Sequence, residues 1–272
     1  SYGHRWGDFG WDSSFTFSAN KNEIVELVKD YVHPETGKTY NVDKLELKTD
    51  EGRGFGKAKF ILKEGGTLGD LYTHADLKRD INGNVLIDDS GNVTAIDNAG
   101  DIKLGSVLPK ANLAWNNSFS YKGINAGFLL TARLGGIVYS ATQAYLDLYG
   151  VSETSAAARD AGGVWINGRS RVNPQRFYDV VASQSGLPTY YTYSATNLRL
   201  QEAHIGYTVP RRWLGNVCDI NVSLVGRNLW MIYCKAPFDP EAVATTNNYY
   251  QGIDYFMMPS TRNIGFNIKI NF

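Results

Sequence analysis

From residue 262 onward the chain reads RNIGFNIKINF, so Ile264, Phe266, Ile268, Ile270 and Phe272 share one side of an extended strand. Asn263, Gly265, Asn267, Lys269 and Asn271 take the other side. A period of two this strict marks a β-strand with one apolar and one polar face. In a water-soluble fold a second layer must cover the apolar face. In an outer-membrane β-barrel that face meets lipid, and the polar face meets a wet lumen. The closing aromatic, Phe272, suits the second solution.

The same alternation recurs upstream. At 11–25, Trp11, Phe15, Phe17 and Ala19 oppose Asp12, Ser14, Thr16 and Ser18. Further segments are expected at 54–62, 67–77 (weakly patterned), 112–121, 124–139, 197–209 and 219–230, making eight with the last. In 197–209 the apolar parity switches between Leu200 and Ile205, which predicts a bulge near Glu202. Connections expected at 63–66, 122–123 and 210–216 are short. Those near 28–53, 79–111, 141–196 and 233–261 are long. Tight turns at one end and long loops at the other are the mark of a transmembrane barrel. Inward-facing residues are mostly Ser, Asn, Thr, Gly and Ala, too small to fill an eight-stranded bore, so the segments are expected to form an arc of a wider barrel.

Composition agrees. Aromatics make up 13% of the 272 residues, with 17 Tyr and 28 Gly, while mean hydropathy is only −0.29. No apolar run approaches the ~20 residues of a membrane helix. Lys plus Arg and Asp plus Glu are 27 each, which gives no electrostatic case for nucleic acid. The opening SYGHRWGDFGW reads as the interior of a longer protein, without a signal peptide. Cys218 and Cys234 fall toward opposite ends of one expected strand, beyond disulfide reach, and are read as free.

Several words then become legible: EGGTLGDLY (64–72), LPKANLAWNNSFSYKGINAGFLLTARLGG (108–136), AYLDLYGVSETSAAARDAGGV (144–164), LRLQEAHIGYTVPRRWL (198–214), GRNLW (226–230) and FDPEA (238–242), with turns NGNV (82–85) and SGNV (90–93). Together they resemble the carboxy-terminal portion of SusC/RagA-like TonB-dependent outer-membrane transporters. The resemblance implies an all-β, up-and-down barrel of about 22 strands around a plug, with residues 1–272 supplying the last eight or so. Plug and TonB box fall outside this sequence. It also implies a SusD-like surface lipoprotein lid, energy from TonB, the rest of the transporter as partner, and import of a bulky nutrient, glycan or oligopeptide. In such a barrel Phe272 serves as an assembly signal.

Trp11, Tyr121, Tyr207, Trp213 and Trp230 are expected to form an interfacial girdle at headgroup depth. Trp165, Tyr190, Tyr191, Tyr193, Tyr249 and Tyr250 in the long loops are candidates for stacking on ligand or docking the lid, with Tyr255 and Phe256 of the same kind. Asp239 and Glu241 flank Pro240 and are read as a structured turn near the barrel rim, since no converging partner marks an acid–base pair. The run 80–89 lacks the spacing of a calcium loop and is read as paired hairpin turns. Four scattered histidines give no metal-ligand spacing, and no nucleophile motif is present, so neither cofactor, metal nor catalysis is expected. Two other architectures fit the strands: a self-contained passive porin, and a secreted carbohydrate-binding β-sandwich.

Overall fold

The computed structural model describes residues 1–47, 57–215, 217–245 and 251–271. Seven strands form one sheet: β1 (Tyr2–Trp6), β2 (Phe9–Ala19), β3 (Ala111–Tyr121), β4 (Ile124–Leu134), β5 (Asn197–Val209), β6 (Asp219–Cys234) and β7 (Asn263–Asn271). Each pairs antiparallel with the next in chain order. This is an up-and-down wall whose edges, β1 and β7, are not paired with each other. Short turns join β1 to β2, β3 to β4 and β5 to β6, while loops 20–110, 135–196 and 235–262 leave from the opposite end. At the β3–β4 turn both Lys122 and Gly123 have positive φ, the mirror-image geometry that matches strand twist. A side chain at Gly123 would press on the Thr208 carbonyl at 3.0 Å.

Alternation sorts the faces. Phe15, Phe17, Ile205, Leu224, Ile264 and Phe266 point outward and are exposed, Ile264 at 70% and Phe266 at 78%. Phe119 is half-buried, with Phe9 and Phe128 against its ring and Trp11 paired beside it, all on the same face. No second sheet among the described residues covers this surface, so the β-sandwich fails. The open edges equally remove the closed small barrel. Ser13 and Asn117, directly paired across β2 and β3, are polar interruptions of the outward face. The Trp115 indole donates to Ser13 Oγ at 3.0 Å and the Trp11 indole to Asn117 Oδ1 at 3.1 Å, which gives both indoles and both oxygens a partner away from water.

The described residues of the segment from 54 to 62, and those of 67–77, are not wall strands, so the wall has seven strands among the described residues where eight are expected. Their described residues join a separate four-stranded sheet in the first long loop: Lys44–Leu47, Ala58–Lys63, Asp70–Thr73 and Ile102–Ser106. The 63–66 turn belongs there too. Consecutive Phe60 and Ile61 are both buried, so protein covers both faces of that strand. The wall strand that the alternation does not announce is β1. The segment expected at 124–139 is also divided. β4 ends at Leu134, and Ile137–Ser140 pairs with Thr192–Ser194 and, in parallel, with Ile253–Asp254.

The hydrophobic core lies entirely in the long loops. Phe60, Leu71, Leu77, Tyr139, Val172, Phe177, Leu187 and Ile253 belong to one buried cluster that contains no wall residue. Three short helices pack into it: α1 (Ala141–Leu148), α2 (Glu153–Asp160) and α3 (Pro174–Val181). They are capped by Ser140, Ser152 and Asn173, whose side chains accept amide hydrogen bonds from Gln143, Ser155 and Arg176. At 80–92, Asp80 takes the amides of Asn82 and Asn84, and Asp88 those of Ser90 and Asn92. These are the hairpin turns expected, with their carboxylates spent on their own backbones.

Candidate functional site

The wall and the loops meet in a collar on the lumenal side of β4 and β5. A bulge at Gln201 creates it. Leu129 pairs with Glu202 and Leu130 with Leu200, so one residue of β5 is extra. Opposite, β6 carries Asn228 in a left-handed conformation (φ 52) between the Arg227–Glu202 and Trp230–Leu200 pairs. An extra residue reverses the facing of the strand beyond it. Odd-numbered Ile205 and Tyr207 face outward below the bulge, while above it Leu198 and Leu200 do. Arg199 is thereby turned into the lumen.

There Arg199, its side chain only 5% exposed, meets two carboxylates of the third long loop. Its Nη2 lies 2.7 Å from Asp239 Oδ1 and 3.2 Å from Glu241 Oε2. Nη1 donates to Asn228 Oδ1 at 3.2 Å, and Nε is buried without a partner among the described residues. Asn197 donates to Glu241 Oε1 at 3.2 Å, while Ser260 and the Glu241 amide donate to Asp239. Burial alone would raise the Asp239 carboxyl. The hydrogen bonds from Arg199, Ser260 and the Glu241 amide, with the Arg199 charge, outweigh it and hold the group below its ordinary range. One strand away, Arg133 donates to the Val107 carbonyl at 2.8 Å and ties down the first loop.

Beside this collar a cavity of about 340 Å³ opens along the lumenal face, lined by Thr16, Ser18, Asn112, Thr131, Arg133, Gln201 and Glu241 among others. Hydroxyls, amides and one charge of each sign, beside Leu113, Ala114 and Ala132, offer partners to a hydrogen-bonding ligand. Among the described residues no group of three His, Cys, Asp or Glu converges as for a metal.

The aromatic candidates scatter. Trp165 is exposed, with the Arg171 guanidinium 4.4 Å over its ring. Tyr190 leans edge-on against Phe177, and Tyr193 against Phe238; burial pushes the Tyr193 hydroxyl up to about 12. Tyr191 is only 2% exposed and donates to buried Asp147 at 3.0 Å. Its ring and hydroxyl both belong to the loop core. Tyr249, Tyr250 and Phe272 lie outside the described residues. Tyr121, Tyr207 and Trp213 stand at the short-turn end and Trp230 toward the loop end, all exposed. Trp11 sits one outward position in from that short-turn end, its indole spent on Asn117. Cys218 and Cys234 are free and bracket β6. No sequence motif marks Arg199, although the parity switch beside it is the signal that it faces inward.

No family model matches the chain. Two TonB-dependent receptors of Formosa agariphila, P3 and P26, are 25% and 24% identical over 96% and 98% of the chain. The chain spans 27% and 28% of their lengths. Among solved structures, the RagAB peptide importer in its closed-closed state superposes over 99% of the chain and 28% of its own, with a TM-score of 0.64 at 16% identity. A second RagAB peptide transporter structure gives 0.63 at 15%. In sequence the chain resembles TonB-dependent receptors, and in fold it is a stretch of outer-membrane β-barrel wall carrying folded loops.

Proposed function

We propose that this chain forms the last wall strands and the mouth of a TonB-dependent importer, with plug, remaining strands and TonB contact supplied by sequence beyond it. In this reading a bulky polar nutrient, a glycan or an oligopeptide, enters under a SusD-like surface lipoprotein. The observation that carries it is the two-faced wall: an uncovered apolar exterior, a polar lumenal side, and long loops gathered at one end. The similarity to TonB-dependent receptors supports the energy source, and the likeness to a peptide importer makes peptides the first class to try. Oligopeptide mixtures and purified glycans should be offered as sole nutrients to cells with and without the intact gene. Loss of growth on one class, restored by the gene and abolished when TonB is removed, is the expected result. Growth unchanged by removal of TonB would reject active import in favour of passive passage.

A further inference from the structure

Three words of the sequence that lie far apart, LRLQEA, GRNLW and FDPEA, converge on one guanidinium. Arg199 comes from the first, Asn228 from the second, and Asp239 and Glu241 from the third. Both wall strands are bulged at this point, and the bulge is what directs Arg199 inward. Asp239, at the entry of the third long loop, is also bonded by Ser260 at its exit, so both ends of that loop are tied at a single place. Farther along, Ile253–Asp254 adds a parallel strand to Ile137–Ser140. The Ser140 hydroxyl donates to Asp254 at 2.5 Å, and the Phe256 amide to Thr142 Oγ1 at 2.6 Å. The described parts of the third loop, 235–245 and 251–262, are therefore a strap tied to the wall at one place and to the start of α1 at another.

We propose that Arg199 is the positioning residue of the mouth, the latch through which the wall holds this strap, and through the strap the second long loop, over the lumen. A buried ion pair is a poor source of stability compared with apolar side chains of equal size. What it supplies is direction, because a planar fork accepts a carboxylate in few orientations. An apolar contact would let the strap slide; Arg199 fixes where it sits. That the strap overlooks an import path rests on the function proposed above, but the latch itself is tested without transport.

The test is hydrogen exchange on the full-length receptor purified in detergent, comparing wild type with Asp239→Asn, Arg199→Lys and Ser260→Ala. The probes are the Tyr139 and Ala244 amides, bonded to the Gly252 and Ile253 carbonyls, with the Ala203 amide of the wall as control. Asp239→Asn should speed exchange at both strap probes at least tenfold and leave Ala203 within twofold. Arg199→Lys, which keeps the charge without the fork, should fall between, and Ser260→Ala should give a smaller rise. Should Asp239→Asn not assemble, Ser260→Ala decides alone. Strap probes within twofold of wild type, or strap and wall accelerated together, would overturn the latch. A receptor that proves not to import leaves the exchange result equally decisive.

Discussion

The wall and the loops of this chain solve opposite problems with the same residues. In the loops, Phe60, Leu71 and Leu77 are buried in a shared core, as in a water-soluble domain. In the wall, Phe15, Leu224 and Phe266 are held out, away from any protein interior. The loops gain stability by taking apolar surface from water at roughly 25 cal/mol per Å². The wall gains the same only when lipid supplies the second layer. Polar groups invert as well. Ser, Asn and Thr line the lumenal face of the wall, whereas the loops spend theirs on helix caps and turns.

The strongest way to break this division is a pair of substitutions. Phe60→Ala should cost the loop module about 3–5 kcal/mol, because it leaves a cavity in a packed core, while the heat-modifiable folded band of the full-length receptor on gels stays intact. Leu224→Arg should cost the wall about 2–4 kcal/mol and leave hydrogen exchange in the loop core unchanged. Either mutation disturbing both regions would show that they fold as one unit.

The division also explains what is legible in the sequence. The terminal strand, 197–209 with its bulge, and the short-turn end can be read because each has one face that tolerates no slip. Ala58–Lys63 misleads for the same reason. Ala58, Phe60 and Leu62 against Lys57 and Lys59 alternate as a wall strand does, and period two cannot say whether the apolar side meets lipid or protein. What distinguishes it is three-dimensional: Ile61 buried behind Phe60, and Lys59 paired with Glu46 at 2.5 Å across a soluble sheet. β1 is not legible because YGHRW is too short to show a period. Arg199 is hidden because its partners lie 40 and 42 positions on, a separation no local pattern reports.

The smallest expected effect concerns a place where the wall breaks its own rule. Ser13 and Asn117 are polar on the outward face, and each takes an indole N–H from a tryptophan of the neighbouring strand. Trp11→Phe keeps a ring there but strips Asn117 Oδ1 of its donor. An unanswered polar atom away from water costs about 1–3 kcal/mol, so the variant should unfold in detergent at lower denaturant than wild type. Asn117→Leu removes the need for the donor, and in the Trp11→Phe background it should restore most of the loss, since replacing both partners by apolar groups is close to neutral. Full recovery by the double variant would show that the pair only satisfies itself. A double variant as weak as the single would mean that Trp11 contributes through its bulk, and that the outward face is specified there by packing among rings and not by the hydrogen bond.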